Sequence, residues 1–452
     1  MKPLLFASAA LFVSGPALAQ HSGHTPPAPT PPAPASQPAV DHSAHQMPSE
    51  PPQAGAMDHN AHAMPAMAHQ MTGALGRYAI SREASGTAWQ PDASSHGGIH
   101  VTAGDWMLMG HLALNAVYDW QQGPRGDDMG FVSGMAMGMA RRDFGQSGTL
   151  QLRAMLSPDP LMGRRGYPLH LASGETADGA TPLVDRQHPH DLFMELSASY
   201  SLRLSQGASA FVYAGLPGEP AFGPPAFMHR MSILDSPEAP ISHHWLDSTH
   251  ISFGVVTAGV IVGRVKLEGS RFNGREPDQH RWNIETGPLD STALRLSWNP
   301  TPTLALQASW AHLVAPEQLA PHENSTRWSA SAIYTRRLSG GRDWWSTTLA
   351  WGRRDGDDAF VLESAAGLGL WTLFGRAELT ENDELTFAGG HHGPVYTVGK
   401  VSAGAIRDFR VAPSVRLGLG AQYALNFVPG ALRASYGGNP GGAMAFIRLR
   451  VD

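Results

Sequence analysis

Side chains of two kinds alternate along several stretches of this 452-residue chain, and that alternation limits what the chain can fold into. Leu192, Met194, Leu196, Ala198, Tyr200 and Leu202 are interleaved with Glu195, Ser197, Ser199, Ser201 and Arg203. Thr292, Leu294, Leu296 and Trp298 alternate with Arg295 and Ser297, and Val415 to Leu425 repeats the pattern around Arg416 and Gln422. Successive strand residues point to opposite faces, so each stretch reads as a strand with one oily and one wet face. A period of two excludes an amphipathic helix, whose apolar stripe would recur every three to four residues.

The N-terminus restricts the compartment. Lys2, an apolar run over 4–13 and Ala17-Leu18-Ala19 read as a secretory signal peptide over residues 1–19. The run is too short for a spanning helix, and no later run of about 18 apolar residues appears. A secreted chain without a spanning helix can still enter a membrane as a closed barrel, because only helices and closed sheets satisfy every backbone polar group in lipid. The charged fraction of 15% is low against about 25% for ordinary globular chains. The absence of Cys excludes disulfides and thiolate metal sites, and a net charge of −6 gives no reason to expect nucleic acid as a partner.

About sixteen strand-like segments (a range of 14–18) begin near Trp106, Gly130, Thr149, Leu192, Ala208, Ile251, Arg264, Ser291, Thr303, Arg327, Trp344, Ala359, Leu368, Val395, Pro413 and Ala443. Short connections alternate with long ones, which predicts an all-β, antiparallel transmembrane barrel over residues 105–452, its long loops outside and its short turns in the periplasm. Arg153, Glu195, Arg203, Lys266, Glu268, Arg295, Gln307, Arg416 and Gln422 are assigned to the lumen, since a charge on the lipid face costs about 2–4 kcal/mol at the midplane. The tryptophans near strand ends are read as interfacial girdles. Residues 20–104, rich in Pro, His and Met, have little apolar material for a core and are expected to form a disordered periplasmic segment.

Candidate metal ligands fall in two groups. The segment offers His42, His45, Met47, Met57, His59, His62, Met64, Met67, His69 and Met71; imidazole suits Cu(II), Zn and Ni, and thioether sulfur suits Cu(I). The loops offer His188, His190 and Asp191, then His243, His244, Asp247 and His250, which should meet near the outer mouth on neighbouring hairpins. The Met/His-rich leader between Asp41 and Met71 joined to a barrel resembles the copper-resistance outer-membrane protein B family, in leader and architecture only. The resemblance implies copper ions as ligands and periplasmic metal-handling proteins as partners, alongside the lipid of a Gram-negative outer membrane.

Three functions follow as expectations. The first is transition-metal, chiefly copper, binding, tolerance or transport; the alternative is a general porin or solute channel with incidental histidines. A barrel-wall hydrolase using His111, His250 or His312 comes third, because no nucleophile elbow, zinc-protease helix or phosphate loop is present, and the chain is read as a non-enzyme.

Overall fold

Alternation on every segment lets the sheet close on itself, and in the computed structural model it does. The structure describes residues 71–452 apart from 96, 146, 339–342 and 387–391. Among these, sixteen antiparallel strands form one closed barrel. They are Trp106–Gln121, Asp128–Phe144, Gly148–Leu156, Phe193–Arg203, Ala208–Gly215, Val255–Val262, Val265–Phe272 and Ser291–Thr301, then Leu304–Leu313, Ser325–Arg337, Trp344–Arg354, Asp357–Leu368, Trp371–Asn382, Tyr396–Ala412, Val415–Phe427 and Gly441–Val451. Each pairs with its neighbour in sequence, and Gly441–Val451 returns to pair with Trp106–Gln121, Ala445 opposite Tyr118. Closure leaves no sheet edge. The starts differ from those read in the sequence mostly by a few residues; the largest shift, Val255 for Ile251, arises because 248–254 turns back toward the lumen.

The outer face carries Val260, Leu294, Leu349, Leu362, Leu373 and Leu419, all exposed. Trp298, Trp345 and Trp371 are exposed beside the short turns, and Trp120 and Trp328 toward the other end, as two girdles require. Leu349→Arg, in mid-strand and 56% exposed, is expected to destabilise the barrel by about 2–4 kcal/mol in urea unfolding in vesicles, whereas an exposed loop substitution such as Arg164→Ala should be near neutral.

The inner face is polar and filled. Glu195, Lys266, Glu268, Arg295 and Gln422 are buried inside, and Arg153 and Gln307 are largely shielded. Arg203 shares the face of Ser199 and Ser201 and lines the lumen mouth beside a short turn, more exposed than they are because it stands at the strand end. Arg416 is half-exposed and bonds Asp452 at 2.8 Å.

Among the described residues, two segments fill the lumen beside the buried hairpin of loop 158–191. Loop 216–254 is buried almost throughout. Its Arg230 bonds Glu363 on the wall at 2.8 and 2.6 Å, its Asp235 pairs with Arg448, and its Glu238 lies 2.7 Å from Lys400 and 3.1 Å from Arg376. The second filling is 71–95. The sequence reading placed these residues in the coreless segment, yet Leu75, Tyr78, Ile80 and Trp89 are buried. Wall side chains satisfy their backbone: Ser201 donates to the Ala74 carbonyl at 2.6 Å, Ser209 to Leu75 at 2.7 Å and Asn299 to Gln90 at 2.8 Å. The strand Ile99–Ala103 then pairs with the start of Trp106–Gln121. Ordered chain therefore begins well before residue 104, because the polar wall supplies partners that local composition cannot.

Candidate metal centre

Loop 158–191 contains a hairpin of Tyr167–Thr176 with Pro182–Gln187, and His188 and His190 follow it directly. In the lumen loop, His243 and His244 open the one-turn helix His243–Leu246, and His250 ends the short helix Ser248–His250. That helix lies against the wall because Gly352 leaves room; a Cβ there would stand 2.3 Å from the Trp245 carbonyl oxygen. Arg327 reaches in from the wall to bond the His244 carbonyl at 3.2 Å and Ser248 Oγ at 2.8 Å.

These two loops bring all five histidines together. Ring centres are 5.1 Å apart for His243 and His250, 5.3 Å for His190 and His250, and 5.7 Å for His243 and His244. His188 lies 5.9 Å from His244, 6.2 Å from His243 and 6.4 Å from His190. With a metal–nitrogen bond of about 2.1 Å, two imidazoles at a tetrahedral angle would have ring centres about 5 Å apart. The closest pairs approach that spacing, but no three of the five rings have ligand nitrogens within 4.8 Å of one another, so a shared ion requires the rings to rotate inward.

Each ring is oriented through Nδ1. His190 Nδ1 lies 2.8 Å from Asp159, His243 Nδ1 2.7 Å from Asp247, and His244 Nδ1 3.2 Å from Glu276. His250 Nδ1 reaches the Asp247 carbonyl at 2.7 Å and His188 Nδ1 the Pro189 carbonyl at 3.3 Å. Such acceptors favour the proton on Nδ1 and the lone pair on Nε2, the tautomer a metal takes. The Nε2 atoms of His190, His243, His244 and His250 are buried without a hydrogen-bond partner among the described residues, and His188 Nε2 lies 3.3 Å from Glu175 Oε1. Buried polar atoms are rarely left so, and a water or an ion among the rings would satisfy them.

The electrostatics keep most of the rings neutral. Burial pushes His188 and His250 well below the ordinary imidazole range. Burial also lowers His243, against the pull of Asp247. His244 is the exception: burial would lower it, but the Glu276 carboxylate outweighs burial and holds it up. Burial would raise Asp247, but Arg230, 2.6 Å away, and His243 hold its carboxyl far down and ionised.

The sequence-derived ligands divide accordingly. His188, His190, His243, His244 and His250 converge. Asp247 faces His243 and Arg230 as an orienting carboxylate, and Asp191 pairs with Arg281 at 3.1 Å. His42, His45, Met47, Met57, His59, His62, Met64, Met67 and His69 lie outside the described residues. Met71 packs instead within the lumen filling, beside Ile80, Met109 and Met139. Sequence reasoning missed the orienting Asp159 and Glu276, which come from separate loops and carry no spacing signal. A second set of donors, Asp383, Glu384 and the loop histidine His392, has ligand atoms within 4.8 Å of one another. Arg354 already bonds that pair of carboxylates, at 3.0 and 2.7 Å, so they are spent on an ion-pair network.

No protein-family description matches the chain, and no curated protein matches it in sequence. Solved structures of similar outline include Salmonella typhi OmpF in complex with daunomycin, with a TM-score of 0.49, 12% identity, and 78% of this chain and 100% of that one covered. Pseudomonas putida OprB gives 0.47 and 9%, covering 76% and 94%. An anion-selective porin from Comamonas acidovorans gives 0.43 and 12%, covering 76% and 99%. What is established for this chain itself is a closed sixteen-stranded barrel of the outer-membrane type, its lumen filled by its own loops around a histidine cluster.

Proposed function

We propose that this barrel resides in a Gram-negative outer membrane and binds a transition-metal ion at the five-histidine cluster, with copper as the leading ion. One observation supports this above the others: four buried imidazole Nε2 atoms without a hydrogen-bond partner among the described residues, on rings whose opposite nitrogens are held by acceptors. Neutral imidazoles select Cu(II), Zn and Ni over hard cations. Capture of further ions by the His/Met-rich leader, and hand-over from periplasmic metal-handling proteins, extend the same reading.

Calorimetric titration of the full chain with Cu(II) and Zn(II) tests it. We expect the unmodified protein to bind one more equivalent than the His243→Ala/His250→Ala variant, since the leader is common to both. Identical stoichiometry and affinity would sink the proposal.

The solute-channel reading is supported by the frame itself, since sixteen strands with a polar wall can surround an aqueous path. Loops 216–254 and 71–95 would then have to leave a path or move. Planar-bilayer conductance separates the two readings. Open conductance that Cu(II) leaves unchanged favours a channel with incidental histidines; silent or copper-sensitive bilayers favour the metal site.

A further inference from the structure

One strand of the barrel reads Gly134-Met135-Ala136-Met137-Gly138-Met139 within Asp128–Phe144. Period two turns all three thioethers to the lumen, where Met135 and Met139 are buried and Met137 half-buried. Register adds further donors beside them. On the preceding strand Met109 stands opposite Met139 and His111 opposite Met137; on the following strand Met155 stands opposite Met137. Directly opposed residues have Cβ atoms about 4.5–5.5 Å apart, so these side chains are neighbours on one wall.

Facing the wall, the lumen loop contributes Met228, and between them lies a cavity of about 110 Å3 bordered by Met109, Met135, Met137, Met139, Met228 and His111. Methionine is the side chain best able to collapse into a gap, having three rotatable bonds and no branch. Five methionines border this void without closing it, while Gln90, Gln151, Glu195 and three arginines line its other sides, so the gap wants a reason beyond packing. Thioether sulfur is neutral and soft, and selects Cu(I)-like ions over Zn(II) or hard cations. The guanidinium groups in the lining do not leave the cavity with unbalanced positive charge: Arg153 pairs with Glu195 at 2.8 Å, Arg448 with Asp408 at 3.1 Å and Arg450 with Asp452 at 2.6 Å.

We propose that this cavity is a soft monovalent-cation site, in which the thioether of Met137 together with those of Met139 and Met109 holds Cu(I). Its donors, and the valence they select, are distinct from those of the five-histidine cluster, so it stands whether or not that cluster binds metal. The methionines also lead toward that cluster. Met135, Met155 and Met194 pack with Ile251, next to His250, while Met137 touches both that group and the Met109–Met139 group.

The test uses the full chain with Ag(I), a redox-inert soft ion, and Zn(II) as the contrast. Leucine fills nearly the volume of methionine without sulfur, so Met135→Leu/Met137→Leu/Met139→Leu should fold. We expect it to bind about one equivalent of Ag(I) less than the unmodified protein, with Zn(II) binding unchanged, while His243→Ala/His250→Ala keeps the silver site. Crystals soaked in Ag(I) should show anomalous density in the cavity, a readout that needs no variant. Should the triple variant not fold, Met137→Leu alone is used, with at least a tenfold loss of Ag(I) affinity expected at the site. Undiminished Ag(I) binding in a folded variant, or no silver density in the cavity, overturns the proposal.

Discussion

Arg230→Ala is expected to be the most destabilising single substitution in the lumen, by about 3–5 kcal/mol, because it strands two carboxylates away from water. The guanidinium bonds Glu363 on the wall through two nitrogens, at 2.8 and 2.6 Å, and Asp247 through a third, at 2.6 Å. The same Nη1 also donates to the Pro225 carbonyl at 2.9 Å. Arg230, Glu363 and Asp247 are all almost wholly buried. The cost comes from the partners left behind, so removing Glu363 together with Arg230 should recover part of it. Urea unfolding of the single and double variants in detergent or vesicles measures this. A loss below about 1 kcal/mol for Arg230→Ala would mean that water reaches the site and screens it, as it does at exposed pairs. Because Asp247 also orients His243, Arg230→Ala should loosen metal binding as a secondary effect.

His243→Ala/His250→Ala is expected to lower Cu(II) or Zn(II) affinity at the loop site by two orders of magnitude or more. The pair has the shortest ring separation in the cluster, 5.1 Å. The control is Glu276→Gln, which keeps a hydrogen-bond acceptor for His244 but removes the charge. Orienting partners of metal-bound histidines typically contribute about 10–100-fold in affinity, so this variant should fall between the two. Equal affinity in all three proteins would show that the imidazoles serve the fold alone. The metal-free double variant is expected to fold but to lose stability, since it empties the volume of two buried rings and removes their Nδ1 bonds to Asp247.

Much of the barrel was legible in the sequence because alternation is a local property. Each strand carries its own two faces, and short turns such as Gly145 and Gly207 mark the reversals. The histidines could be sorted to one end for the same reason. Their convergence could only be anticipated, since it depends on how loop 216–254 folds back against loop 158–191. Asp159 and Glu276 were invisible because nothing near them in sequence pairs them with a ring. The packed stretch 71–95 was misjudged on composition: its order comes from Ser201, Ser209 and Asn299, far along the chain, which bond its backbone. The alternating thioethers of Met135, Met137 and Met139 were in plain view, but alternation by itself reads only as a strand face.

The ion pairs between the lumen loop and the wall have a consequence for how the molecule is made. Arg230 waits for Glu363, 133 residues later; Glu238 for Arg376, 138 later; Asp235 for Arg448, 213 later. Every one of those partners belongs to a strand that follows the loop. The loop is thus bonded to strands from the second half of the sheet, the last strand among them. Contacts this distant make for slow folding. They also tie the loop that carries His243, His244 and His250 to the strand that closes the barrel, so the imidazoles and the seam share one network of ion pairs.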